Sequence, residues 1–340
     1  MAAYNGAALI GETLRSLARQ TFADFEVLVV DDYSTDATRD VVRAFPDRRI
    51  RLIPLDVNGG PVRARNRAVA EARGRYIAAL DQDDLCRPER FARQVAWLDA
   101  HPECALLGTQ VDYLLGSRVG RSNYAPVTTP ALIAWLTRIE NPLAWSSVMV
   151  RADAARALGP FTRPEILYAE DFDLYHRIQA FGTIARLDEA LLVYRRHPDG
   201  ASQRFTDTME RSAARVLIEA HAPLLGDAAA QVANLLVVHL MRGDPVPGRA
   251  VLVDLGAALV TLQRAFLERH RCTAEDRRLI RWETARRWAA IARKGLRHGT
   301  LTLADVLAVR PDHLGLGHAG IEELLLSRAV GGAKVLSGGR

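Results

Sequence analysis

The spacing of apolar and polar positions changes character along the 340-residue chain. Between Ala7 and Gln20 the apolar residues Leu9, Ile10, Leu14 and Leu17 recur at the period of one helical face. Phe25 to Val30 is a short, largely apolar run that predicts a buried strand, and it ends at Asp31–Asp32. Thr35 to Phe45 reads as a second helix and Ile50 to Leu55 as a second strand. Asn58-Gly59-Gly60-Pro61 is a turn, with a helix from Val62 to Ala72 behind it. Arg75 to Leu80 is a third strand that runs directly into Asp81-Gln82-Asp83-Asp84. A helix from Pro88 to Ala100, a β-rich stretch through Val150, a helix from Ala152 and another after Glu170–Asp171 follow, and Leu191 to Tyr194 closes the region as a short strand.

This alternation predicts an α/β fold, a Rossmann-like parallel sheet with helices on both faces, over residues 1–205. From about Phe205 only helical patterns remain, so 206–330 reads as an all-helical C-terminal region and the glycine-containing tail, 331–340, as disordered. The segment Arg277 to Arg297 combines Leu279, Ile280, Trp282, Trp288, Ile291 and Leu296 with many arginines. Such a basic amphipathic helix either packs on the first domain or makes a peripheral contact with a membrane surface or a lipid-bearing acceptor.

Composition adds little to this picture. The formal charge is +5, from 45 Lys and Arg against 40 Asp and Glu, and nearly all the cations are arginines. That balance points only weakly to an anionic partner such as a nucleotide, a lipid phosphate or a membrane surface, and no nucleic acid is expected. Cys86, Cys104 and Cys272 are odd in number and widely spaced, which argues against a disulfide framework or structural zinc. No run of eighteen uninterrupted apolar residues and no basic-then-apolar leader is present. The expectation is a cytoplasmic protein, with peripheral contact at the inner face of the membrane as the second setting.

The acidic clusters carry the chemistry. Open α/β sheets bind ligands beyond the carboxyl ends of their strands, and two of the three predicted strands end in aspartates. Asp81, Asp83 and Asp84 at one strand end could share a divalent cation, and hard oxygen ligands favour Mn2+ or Mg2+. Asp31 and Asp32 exceed what helix capping by Ser34, Thr35 and Asp36 needs, so they are candidates to hydrogen-bond a base or ribose. Glu170 and Asp171 open an apolar-periodic helix, where a carboxylate is stabilised by the helix dipole or serves as a general base. Arg195, Arg196 and His197 follow the last strand, where they could touch a diphosphate or complete a metal shell.

In this order and spacing the motifs Ala3-Tyr4-Asn5, Val29-Val30-Asp31-Asp32-Tyr33-Ser34-Thr35-Asp36, Asn58-Gly59-Gly60 with Ala64-Arg65-Asn66, Asp81-Gln82-Asp83-Asp84, Glu170-Asp171 and Tyr194-Arg195-Arg196-His197 resemble glycosyltransferase family 2. That family comprises inverting enzymes with a GT-A type nucleotide-diphospho-sugar fold. The resemblance covers residues 1–205 and implies a nucleotide-diphospho-sugar donor and a saccharide or lipid-linked saccharide acceptor in surface polysaccharide or glycan assembly. It implies donor binding by Tyr4, Asn5, Asp31, Asp32, Arg65, Asn66, Asp81, Gln82 and Arg195. Asp83, Asp84 and His197 are implied as metal ligands, Asp171 as catalytic base and Glu170 as its companion in orienting the acceptor. Family members open with an apolar strand before the Tyr-Asn motif, whereas Met1-Ala2-Ala3 stands there in this chain, so that strand is expected to be missing. The rival readings are a nucleotidyltransferase, which lacks its glycine-rich basic loop here, a dinucleotide-dependent oxidoreductase, which lacks its GxGxxG, and a catalytically inactive scaffold of the same fold.

Overall fold

The computed structural model describes residues 1–197, 200–309 and 321–337. The chain divides into two compact units: Met1–Pro130 with Pro142–Ala213, and Ala131–Asn141 with Ala214–Arg340. The division therefore falls within the helix Thr206–Leu225, and an internal segment of the first half belongs to the helical unit.

The first unit opens with β1 (Ala2–Ala3), α1 (Ile10–Ala18), β2 (Val27–Asp31), α2 (Thr38–Arg43), β3 (Ile50–Pro54) and α3 (Gly60–Glu71). β4 (Tyr76–Ala78), β5 (Leu85–Cys86), α4 (Arg90–Ala100), β6 (Cys104–Leu115) and β7 (Arg118–Arg121) follow. After α5 (Pro130–Leu136) come β8 (Met149–Arg151), α6 (Ala152–Ala157), α7 (Glu170–Arg177), β9 (Thr183–Arg196) and the short α8 (Ala201–Arg204). Every residue of β2 is buried, as an apolar strand covered on both faces must be.

The parallel sheet predicted from the sequence is confined to β1–β2–β3. The other strands form a mixed sheet in the order β4–β8–β6–β9–β5, in which β4 and β6 run antiparallel to β8 while β6 and β9 run parallel. β8 is reached from β7 through α5 and a 3-10 turn at Trp145–Ser147, and it pairs antiparallel with both of its neighbours.

The first strand is short rather than missing. Ala2 and Ala3 pair with Val30 and Asp31, and the Met1 nitrogen continues the ladder to the Leu28 carbonyl at 2.9 Å. Between β2 and β4 lies a cavity of about 660 Å³ lined by Leu17, Phe25, Val27, Leu80, Phe91 and Met149 among others.

The helical unit contains the C-terminal part of α9 (Thr206–Leu225), then α10 (Ala229–Leu235), α11 (Arg249–Arg269), α12 (Ala274–His298), α13 (Leu303–Ala308) and α14 (Ile321–Ser337). The segment around α5 is fixed into it by the fully buried Trp135, whose indole N–H donates to Thr284 Oγ1 at 2.9 Å and whose ring lies 5.7 Å from Phe266. α12 starts in a Thr273–Asp276 capping box and stops at Gly299, which adopts φ 70°. Its Ile280, Trp288, Ile291 and Leu296 are buried, so this apolar face is packed within the protein. The tail is helical through Ser337, where disorder was expected, and 338–340 lie outside the described residues.

Two stretches, Thr206–Met241 and Arg249–Arg269, are long and apolar enough to cross a membrane by length and composition. Polar residues are dispersed along both, so neither holds an uninterrupted apolar run. α11 buries one side, Leu252, Leu255, Leu259, Leu262 and Phe266, in the manner of a core helix.

Candidate active site

The site is assembled at the carboxyl ends of β2, β4 and β9 and at the amino end of α7. Its floor is a set of loops cross-linked by hydrogen bonds. Tyr4 N–H donates to Gln82 Oε1 and Gln82 Nε2 donates to the Tyr4 carbonyl, both at 3.0 Å. Asn5 N–H meets Ser34 Oγ at 3.0 Å, Thr35 N–H meets Asn5 Oδ1 at 2.9 Å, and Gly6 N–H meets Thr38 Oγ1 at 2.8 Å. A Cβ at Gly6 would stand 2.2 Å from Gln82 Oε1, so a side chain there would displace the Gln82 amide from Tyr4. Asn5, Tyr33 and Tyr168, the non-glycine residues with positive φ among those described, all border this region. Non-glycine backbone of this kind costs energy and concentrates at functional sites. Tyr4 and Tyr33 remain 46% and 49% exposed, so their rings are presented rather than packed.

Asp31 and Asp32 differ from expectation in what they touch. Asp31 is fully buried, and its Oδ2 accepts from Arg39 Nε at 2.5 Å and from Ser34 N–H at 3.1 Å. Asp32 spends both carboxylate oxygens on backbone, accepting from Gly59 N–H at 2.8 Å and Gly60 N–H at 2.7 Å. It fastens the turn that starts α3 and is itself 3% exposed. Asn66 is used the same way: Nδ2 donates to the Thr162 carbonyl and Oδ1 accepts Thr162 N–H, each at 2.8 Å. Gln82, through Tyr4, is likewise a brace between loops.

The Asp81–Asp84 cluster separates into different environments. Asp83 Oδ2 lies 2.9 Å from His197 Nε2, with both side chains about a quarter exposed. Burial and the nearby Asp81 raise the Asp83 pKa, and His197 works against that rise. Asp84 is 1% exposed and accepts the Arg195 backbone N–H at 2.8 Å, which locks the end of β9 to the loop after β4. Burial, reinforced by repulsion from Asp83 and Asp81, pushes its pKa well above the carboxylate range. It was expected as a metal ligand, yet its place is inside the protein. Arg195, expected to hold phosphate, donates from Nε to the Asp83 carbonyl at 2.9 Å and from Nη2 to Glu12 at 2.5 Å.

Asp81 N–H donates to Ser146 Oγ at 3.0 Å, and Asp81 Oδ1 accepts from Arg65 Nη2 at 2.9 Å. Arg65 also forms a close ion pair with Glu170, which is 3% exposed. Asp171 sits half-buried in the first turn of α7, with its Oδ1 accepting Phe172 N–H at 2.8 Å. Asp81, Arg65, Glu170 and Asp171 are therefore brought together, as are Asp83 and His197.

Residues 1–158 match the family model described as Glycosyl transferase family 2. The amylovoran biosynthesis glycosyltransferase AmsE of Erwinia amylovora is 30% identical over 196 residues, which are 57% of this chain and 73% of AmsE. The chain belongs to glycosyl transferase family 2. The succinoglycan biosynthesis protein ExoO of Rhizobium meliloti is 50% identical over 100 residues, a match spanning 29% of this chain and 29% of ExoO's own length. Among solved structures, the mannosyltransferase PcManGT from Pyrobaculum calidifontis, in complex with GDP-Man and Mn2+, superposes with a TM-score of 0.50 at 18% identity, covering all of this chain and 86% of that one. The likeness to PcManGT is one of fold, a GT-A type α/β domain.

Within this family 2 site, Ser146, Trp145 and Glu12 were not anticipated from the sequence. Ser146 is fully buried and receives the Asp81 backbone, and the Trp145 ring lies 4.8 Å from the Arg65 guanidinium. Both stand in an apolar stretch with no charge or periodicity to mark them. Glu12 sits on the polar side of α1, where an acid near a helix start is unremarkable.

Proposed function

We propose that this chain transfers a sugar from a nucleotide-diphospho-sugar to an acceptor hydroxyl in a single displacement, with inversion at the anomeric carbon. The observation that carries the reading is the convergence of Asp81, the Asp83–His197 pair and Glu170–Asp171 at one edge of the sheet. On this reading Asp171 takes the proton of the acceptor hydroxyl as that oxygen attacks, and Glu170 shapes the pocket around it. Tyr4 and Tyr33 offer exposed faces to the base and ribose.

Asp83 and His197 present a carboxylate oxygen and an imidazole nitrogen to one point, a donor set that suits Mn2+ or Mg2+. Among the described residues no third His, Cys, Asp or Glu is grouped with them as a ligand. Asp83 and His197 would be the side chains that hold such a cation beside the donor diphosphate. A bound cation would supply Lewis-acid stabilisation of the leaving diphosphate. The acceptor is a saccharide, free or lipid-linked, in surface polysaccharide or glycan assembly, a setting supported by the likeness to the amylovoran biosynthesis glycosyltransferase AmsE and the succinoglycan biosynthesis protein ExoO.

The test is a panel of nucleotide sugars with and without Mn2+, measuring donor binding and turnover for the wild type, Asp83→Ala and Asp171→Asn. The reading requires that Asp83→Ala loses metal-dependent binding and that Asp171→Asn binds donor without turning it over. A wild type that binds no nucleotide sugar would remove it.

A further inference from the structure

The resemblance assigns Arg65 to the donor, but its contacts point elsewhere. Its side chain is 15% exposed, and its terminal nitrogens are taken by Asp81 Oδ1 at 2.9 Å and by Glu170 Oε1. Its Nε is buried without a hydrogen-bond partner, and the face of the guanidinium lies against Trp145 at 4.8 Å. A planar fork engaged at both tips and stacked on an indole has its orientation fixed. Glu170 and Asp81 come from distant parts of the sequence, 105 and 16 residues from Arg65. Burial opposes the Arg65 charge, but Asp81 and Glu170 outweigh it and raise its pKa.

We infer that Arg65 is a positioning residue: it ties the donor-side carboxylate Asp81 to the acceptor-side Glu170 and thereby sets where the adjacent Asp171 stands. This rests on the proposed transfer reaction. Glu170 is the first residue of α7 and Asp171 the second, so a displacement of the Glu170 carboxylate moves the start of the helix that carries the base. Lysine is a poor replacement for this residue, because a point charge on a flexible stem cannot hold two carboxylates in the fixed geometry that a planar fork imposes. A donor-binding arginine would act mainly on donor KM, whereas a positioning one acts on kcat, since a misplacement of about 1 Å costs on the order of 100-fold in rate.

The experiment compares wild type, Arg65→Lys, Arg65→Met and the double variant Arg65→Met/Glu170→Gln. The double variant removes the buried carboxylate that Arg65→Met leaves unpaired and so remains foldable where the single variant is not. kcat and donor KM are measured for each, with Mn2+-dependent nucleotide affinity by calorimetry and amide exchange at Glu170–Phe172. The expected result is a kcat about 100-fold lower in Arg65→Met and in the double variant, donor KM and nucleotide affinity within about threefold of wild type, partial recovery at most in Arg65→Lys, and faster exchange at the start of α7. A tenfold rise in donor KM with kcat unchanged would overturn the inference in favour of direct donor contact. Unchanged kcat and KM would overturn it as well. If wild type turns over no nucleotide sugar, the transfer reading itself fails. Unaltered exchange at Glu170–Phe172 in the Arg65 variants would then overturn the positioning role separately.

Discussion

Asp83 and His197 meet at 2.9 Å although 114 residues separate them in the sequence. The contact joins the loop after β4 to the end of β9 and leaves both side chains part-exposed at the sheet edge. His197→Ala should therefore weaken Mn2+-dependent nucleotide binding by about 10- to 100-fold, the scale on which loss of even an outer-shell partner acts at metal sites. Titration calorimetry with a nucleoside diphosphate, with and without Mn2+, measures this. Equal loss in the metal-free titration would place His197 on the nucleotide alone.

Gly6 is held against Gln82 with no room for a side chain. Gly6→Ala puts a methyl group 2.2 Å from Gln82 Oε1, so the Gln82 side chain must swing aside and give up its two bonds to Tyr4, at a cost of about 1–3 kcal/mol. Gln82→Ala removes those bonds and the obstacle together, so the double variant should be little less stable than Gln82→Ala alone. A thermal-melt cycle over the four proteins reads the coupling, and strictly additive losses would contradict the close approach.

Local periodicity made β2, β3, α3 and α4 legible in the sequence, because each is defined by a few consecutive residues. β9 was seen only at Leu191–Tyr194. Its earlier half carries Arg186, Asp188 and Glu189, and the charge of Arg186 is buried by a bond to Asp188 at 2.6 Å that no periodicity reveals. The transfer of 131–141 to the helical unit was hidden because it depends on Trp135 meeting Thr284, 149 residues away. In the site, the surplus of acids at strand ends was legible. Which acids the protein keeps for itself was not, since Asp84 is claimed by Arg195 and Asn66 by Thr162, 111 and 96 residues distant.

Asp32 illustrates the difference. Its two oxygens receive the N–H groups of Gly59 and Gly60, so Asp32→Ala should cost about 1–3 kcal/mol by leaving part-buried donors unsatisfied. Asp32→Asn, which keeps one acceptor, should cost less. Urea unfolding of the nucleotide-free protein tests this, and an unchanged midpoint in Asp32→Ala would return Asp32 to the ligand-contacting group.

The helical unit has its own pH dependence. His221 is 2% exposed, with Nε2 at 2.9 Å from the Arg138 carbonyl, and burial lowers its pKa from 6.5 to about 4. The neutral ring donates to that carbonyl, and the unfolded chain binds the proton more readily. This contribution is intact above pH 6.5 and is lost progressively as pH falls toward 4, by about 3 kcal/mol in all. His221→Gln, which retains an N–H donor without a titration, should flatten that slope in melts between pH 7 and 4. An identical slope in the variant would mean that other groups cause it.

The central claim, that Asp171 takes the proton of an acceptor hydroxyl as it attacks a donor held beside Asp83 and His197, is tested most directly by single-turnover transfer with the nucleotide sugar that wild type binds in Mn2+. The account requires Asp171→Asn to bind that donor with wild-type affinity while its transfer rate falls by 100-fold or more, on the order expected for loss of a general base. Transfer by Asp171→Asn at the wild-type rate would contradict it.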